Sequence, residues 1–152
     1  MSGAVRGTEE LVLDVGLSDL RPAFRALGQG VCPNLLRFFV RKPDMAEYAE
    51  LAATLRSGHC RSWQELGLID TEEVSSANLR VVFQALQEGS CPNLTKIDLD
   101  TIWIFQDETK ALANLLRSCA CPQLKSLLLS EMDLREREII GCLFDSFCGQ
   151  VD

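Results

Sequence analysis

The tetrapeptide Cys-Pro-Asn-Leu stands at Cys32 to Leu35, returns at Cys91 to Leu94, and has a close copy at Cys121 to Leu124. A degenerate copy, Cys60-Arg61-Ser62-Trp63, falls between the first two, so that Cys32, Cys60, Cys91 and Cys121 are separated by 28, 31 and 30 residues. Self-similarity at a period near 30 residues means stacked supersecondary units, each burying its apolar face against the next. In such an array function resides on an extended surface built from several repeats, so a face rather than a pocket has to be read.

Downstream of each cysteine the apolar residues follow one template: Leu35, Phe38 and Val40; Trp63, Leu66 and Leu68; Leu94, Ile97 and Leu99; Leu124, Leu127 and Leu129. Each set predicts a short strand. Thr8, Leu11 and Leu13 sit one period earlier and predict a first strand without its own Cys-Pro, which makes five. Because strand side chains alternate between faces, the named residues point to one side and those between them to the other.

Helices are expected between the strands. Leu20, Phe24 and Leu27 lie at helical spacing after Ser18-Asp19, with Pro22 in the tolerated opening turn and Gly30 at the end. The second helix begins at Pro43-Asp44, where Asp44 and Glu47 make a capping-box pattern, and runs through Tyr48, Leu51 and Leu55 to Gly58. The third runs from Ser75-Ser76 through Leu79, Phe83 and Leu86 to Gly89, and the fourth carries Leu112, Leu115 and Leu116 with Cys119 in the glycine slot. A fifth is built on Ile139, Ile140, Leu143, Phe144 and Phe147 and reaches Gly149.

This alternation over essentially the whole chain resembles the leucine-rich repeat family, in particular its ribonuclease-inhibitor-like and cysteine-containing branches. The resemblance implies an α/β fold: a curved solenoid of about five strand-helix repeats, with a parallel sheet on the concave side and helices on the convex side. Residues 1–152 then form one domain, with repeats at approximately 8–34, 35–62, 63–93, 94–123 and 124–152. The family is mostly used for binding proteins, and its pattern places Asn or Cys three residues after the last strand leucine. Here those slots hold Gly16, Pro43, Thr71, Ile102 and Met132, so no asparagine ladder is expected and the strand-to-helix turns diverge. The apolar run Ile102-Trp103-Ile104-Phe105 falls in one of these turns, either tucked into the core or left as a hydrophobic edge.

With strands in register about 4.8 Å apart, the outer face is a grid of three rows. The first, Glu10, Arg37, Glu65, Lys96 and Ser126, alternates in sign and reads as a self-satisfied ion ladder. The second is Val12, Phe39, Gly67, Asp98 and Leu128, and the third Asp14, Arg41, Ile69, Asp100 and Ser130. Phe39, flanked by Arg37 and Arg41, has the composition of an interface anchor within a polar rim. The competing reading puts Phe38 and Phe39 together in the core of an irregular strand. The partner-binding set expected from sequence is Arg37, Phe39, Arg41, Ile69, Asp98 and Asp100.

A net charge of −7 argues against a nucleic-acid ligand, which needs clustered Lys and Arg, and favours a basic protein partner. Residues 1–10 lack a secretory signal pattern and no stretch approaches 18 consecutive apolar residues, so neither export nor a membrane partner is expected. Seven cysteines, four of them at one place in a repeat, read as small core residues of a chain kept in a reducing cytosol or nucleus.

Chemistry is sparse. The single histidine, His59, follows the helix-ending Gly58 and is the one imidazole a hydrolytic triad would have, and the glycines match no phosphate-binding loop. Neither catalytic residues nor a cofactor are expected. Cys119, Cys121, Cys142 and Cys148 invite a zinc or redox reading, but their spacing suits packed thiols better, with Cys119 and Cys148 the more reactive. The expectation is therefore a protein-interaction module. An inhibitor or regulator of a basic enzyme, an adaptor in a larger assembly, a thiol-based redox or metal protein, and a piece of a longer array that self-associates through uncapped ends are the alternatives.

Overall fold

The computed structural model describes residues 9–14, 19–41, 45–69, 79–103, 106–131, 138, 140, 141, 150 and 151. They form an α/β structure in which strands β1 (Glu10–Asp14), β2 (Arg37–Arg41), β3 (Glu65–Ile69), β4 (Lys96–Trp103) and β5 (Ser126–Glu131) make an all-parallel sheet in chain order. Helices α1 (Arg21–Gly28), α2 (Met45–Arg56), α3 (Leu79–Gln87) and α4 (Gln106–Ser118) alternate with them. Successive helices pack α1 on α2, α2 on α3 and α3 on α4. Expected fifth-helix positions Ile139, Leu143, Phe144 and Phe147 lie outside the described residues, as do Ser75 and Ser76, Pro43 and Asp44. One addition was not expected: Gln150 and Val151 form a short strand β6, parallel to β5 and paired with Ser126 and Leu127.

The repeat is visible as repeated hydrogen bonds. In all four copies the leucine-slot N–H donates to the cysteine carbonyl three residues back: Leu35 to Cys32, Trp63 to Cys60, Leu94 to Cys91 and Leu124 to Cys121, at 3.1 to 3.3 Å. Proline after the cysteine fits a turn of this kind because its fixed φ suits the second position. Each strand is then hooked to the one before it through one carbonyl that accepts two amides: Glu9 from Leu36 and Arg37, Leu36 from Gln64 and Glu65, Gln64 from Thr95 and Lys96, Thr95 from Lys125 and Ser126.

Polar residues of the motif add cross-repeat bonds. Asn93 donates through Nδ2 to the Arg61 carbonyl at 2.7 Å, and Ser62, in the same slot of the degenerate copy, donates to the Leu35 carbonyl at 2.9 Å. Two side-chain-to-backbone bonds thus join neighbouring repeats, carried by the third residue of the cysteine motif rather than by the turn slots.

One core fills the space between sheet and helices. Phe38, Val40, Leu66, Leu68, Ile97, Leu99, Leu127 and Leu129 face it from the strands, and Phe24, Leu51, Leu55, Phe83, Leu86, Leu112 and Leu115 from the helices. Phe38 stacks on Trp63 at a centroid distance of 4.7 Å and meets Phe24 edge-on at 6.1 Å. Cys32, Cys60, Cys91 and Cys121 are all buried in the same core. Helix ends follow the glycine-slot reading: Gly30, Gly58 and Gly89 have φ of 81°, 87° and 83°, and Cys119 adopts the same left-handed conformation at φ 57°. It is the positive-φ non-glycine residue of the described chain.

Helix starts are tied across repeats. Asp19 accepts the Arg21 N–H at 2.9 Å, and its contacts with Arg21 hold its carboxyl down to about 2. Glu47, in the first turn of α2, is buried, and its Oε2 accepts the Leu20 N–H at the start of the preceding helix at 2.7 Å, a cross-repeat bond rather than the reach to its own helix start that a capping box makes. Thr54 similarly reaches back from α2 to donate to the Phe24 carbonyl at 2.7 Å.

Candidate functional site

Strand pairing brings the first outer row together as expected: Glu10, Arg37, Glu65, Lys96 and Ser126 are register partners across five strands. Within it Arg37 Nε donates to Glu10 Oε2 at 2.9 Å, and that bond, with the nearby carboxylates of Glu65 and Glu9, raises the guanidinium pKa above its usual value. Both partners are open to solvent, so the pair contributes little to stability. Its effect is to engage one of the cations the sequence offered for binding.

The second row, Val12, Phe39, Gly67, Asp98 and Leu128, is also in register. β2 is regular: Phe38 and Val40 are fully buried, while Arg37 and Phe39 between them are half-buried on the opposite face and Arg41 is exposed. Phe39 is thus an outer-face residue and not a second core phenylalanine. Its ring lies across Gly67. A Cβ added to that glycine would overlap Phe39 Cδ1 and stand 2.8 Å from Cε1, and Gly67 is itself buried beneath the ring. Val12, on the other side of Phe39, is 48% exposed, the large hydrophobic side chain most open to solvent among the described residues. An apolar platform of Val12 and Phe39, with Gly67 as its floor, therefore sits between the Glu10–Arg37 pair and Arg41. Asp98 is half-buried one strand beyond Gly67.

The third row is less regular than the sequence implied. Asp14, Arg41 and Ile69 are register partners, but the β3–β4 pairing runs only from Glu65 with Lys96 to Gly67 with Asp98. The β4–β5 register shifts between Leu99 and Trp103, where Trp103 pairs with Glu131. Asp100 lies in this irregular stretch and so leaves the grid. The shift also corrects the reading of Ile102 and Trp103 as a turn: both belong to β4, while Ile104 and Phe105 lie outside the described residues.

Other chemistry-bearing residues are dispersed. His59 is exposed, with Nδ1 donating to the Gly28 carbonyl at 2.8 Å, since a carbonyl can only accept. Its ring rests on Gly30, where an added Cβ would stand 2.9 Å from Cδ2. Cys119 is exposed and Cys121 is buried in the core row, so the two thiols of the Cys-x-Cys pair face different surroundings; Cys142 and Cys148 lie outside the described residues. Burial pushes the Cys60 thiol up to about 12 and raises those of Cys32 and Cys91. Among the described residues no group of three or more His, Cys, Asp and Glu could hold a metal ion, and no helix is long and apolar enough to cross a membrane.

What the sequence missed at this site is the Phe39–Gly67 contact. Its signal was present in the pairing of an aromatic residue with glycine in one row, an arrangement in which a ring shields a cross-strand glycine. A scan against protein-family models and a search of curated proteins each found no match to this chain.

Proposed function

We propose that this chain is a leucine-rich-repeat solenoid that serves as a protein-interaction module, taking its partner on the outer, concave face of the sheet around Phe39. The observation that carries the reading is the platform of Phe39 over Gly67 beside exposed Val12. A half-buried aromatic on a rigid strand, set among charged neighbours, has the make-up of an anchor that loses its remaining hydration when a partner arrives. Arg37, Arg41 and Asp98 supply the polar rim, with Ile69 beside Arg41 in register; Asp100, in the irregular stretch of β4, stands outside it. The repeated cysteine-motif turns and hooked strand starts support the family assignment, because they return in register at every repeat.

Affinity capture from a native lysate tests this, comparing the wild-type chain with a Phe39→Asp, Arg41→Glu variant whose fold is verified by circular dichroism. A partner lost only with the variant supports the sheet face; the same partners retained by both would remove it. Regulation of a basic enzyme is a narrower form of the same reading, favoured by the charge of −7, and it requires that association weaken steeply with salt.

A further inference from the structure

The helix side carries an asymmetry between repeats. Two furrows are bridged by ion pairs: Arg25 of α1 reaches Glu50 of α2 at 2.9 Å, and Arg56 of α2 reaches Glu88, just past the end of α3. Counted back from the motif cysteines, the positions equivalent to Arg25 and Glu50 at the α3–α4 furrow are Gln84 and Ala111, and those equivalent to Arg56 and Glu88 are Gln87 and Ser118. All four are neutral. Among the described residues no ion pair spans this furrow, which forms a groove of about 220 Å³. The α2–α3 furrow is open as well, as a wider groove beside its Arg56–Glu88 bridge, so the α3–α4 furrow is set apart by its cations rather than by its opening.

Its lining is distinctive. Arg80 and Lys110 occupy equivalent positions on the two helices, and neither has an ion-pair partner among the described residues. Gln84, Gln87 and Asn114 add three amides, each able both to donate and to accept, and Asp107 completes the wall. The volume is below the range of pockets that hold cofactors or drug-sized ligands and suits one or two side chains. Two cations without an ion-pair partner among the described residues, in a chain of net charge −7, favour a carboxylate. The amides suit the backbone on either side of it, and Asp107 disfavours a dense run of negative charge.

We propose that the α3–α4 furrow is a second interaction site, which receives a Glu- or Asp-bearing segment of a protein partner, with the acidic side chain held between Arg80 and Lys110. It is independent of the sheet-face site, which lies on the other side of the molecule.

The test is a ¹H–¹⁵N correlation titration of the full chain with the blocked peptide Gly-Glu-Gly-Glu-Gly and, separately, with its Gln-for-Glu counterpart. The expected result is shifts confined to α3 and α4, including the side-chain amides of Gln84, Gln87 and Asn114, seen with the Glu peptide and lost with the Gln peptide. They should also be lost in Arg80→Ser, Lys110→Ser. An Arg80→Gln, Lys110→Gln variant, which keeps polar side chains in the groove while removing both charges, should lose them as well. Shifts spread over exposed arginines such as Arg21 and Arg117, shifts that survive both variants, or no shifts at all would overturn the proposal. Unchanged sheet resonances at Val12 and Phe39 would separate this result from the sheet-face reading.

Discussion

The ring of Phe39 lies across the backbone of Gly67, its register partner on the next strand, so that a glycine on the outer face of the sheet is buried by a neighbour's side chain. Glycine normally weakens a strand, by roughly 0.5–1 kcal/mol relative to alanine, and here it makes room for the ring. The two residues should therefore be energetically coupled. Gly67→Ala is expected to destabilise the wild type by about 1 kcal/mol, because the ring must move, but to stabilise a Phe39→Ala background by about 0.5 kcal/mol. Urea unfolding of the four-member cycle reads the sign reversal. Equal effects in both backgrounds would mean the ring does not rest there.

Cys119 holds the left-handed conformation that glycine supplies at the three equivalent helix ends. A non-glycine residue there costs about 1–2 kcal/mol. Cys119→Gly should raise stability by about 1 kcal/mol, whereas Gly89→Ala should lower it by a similar amount, even though an added Cβ at Gly89 meets nothing within 4 Å. The contrast isolates backbone conformation from packing, and chemical denaturation measures it.

Burial sets the thiols apart. Cys119 should react rapidly with a thiol reagent in the native protein, while Cys32, Cys60, Cys91 and Cys121 react only on unfolding, as peptide mapping of the labelled chain would show. A pH dependence follows from Cys60, whose folded pKa of about 12 lies above the ordinary value of 9.0. Below pH 9 both states hold the proton and its contribution is constant. As pH rises from 9 towards 12 the unfolded chain ionises first, so stability falls, by up to about 1.4 kcal/mol per pH unit for this thiol. Cys60→Ala should flatten the slope of stability against pH in that window, whatever it does to stability at neutral pH.

Glu47 and Glu108 occupy the same place in their repeats, thirteen residues before the motif cysteine, and both are buried. They differ in what they meet: Glu47 Oε2 accepts the Leu20 N–H, while Glu108 Oε2 has no hydrogen-bond partner among the described residues. Glu47→Ala should cost about 2 kcal/mol by orphaning a buried donor, and Glu47→Gln about 1. Glu108→Gln is expected to change stability by less than about 0.5 kcal/mol, since one of its oxygens already lacks a partner. Thermal unfolding of the three variants ranks them.

The parts of this architecture that rest on local periodicity were legible in the amino-acid order. The repeat template assigns Phe38 and Val40 to the core side of β2, while two adjacent phenylalanines left the side of Phe39 open until the strand was seen to be regular. A residue two before each cysteine had to leave the helix, which marks Cys119 as readily as Gly89. Contacts between repeats were not legible. The Asn93 bond to the Arg61 carbonyl, the reach of Glu47 to Leu20 and the ring of Phe39 over Gly67 depend on which side chain of one repeat stands beside which backbone of the next. The extension of β4 through Trp103 was hidden because its apolar run breaks the alternation where the register with β5 shifts. At the candidate site the first two rows followed from pairing in register, and the third failed at Asp100 for the same reason.

The central claim is that a partner contacts the sheet face at the Val12–Phe39 platform. Site-specific photo-crosslinking tests it most directly: p-benzoylphenylalanine is placed at Val12 on the sheet face or at Ala53, exposed on α2, and the chain is irradiated in native lysate. Val12 is predicted to yield a discrete crosslinked protein that Ala53 does not, and the product should vanish when Phe39→Asp is added. Crosslinks from Ala53 alone, or a Val12 product indifferent to Phe39, would contradict the account.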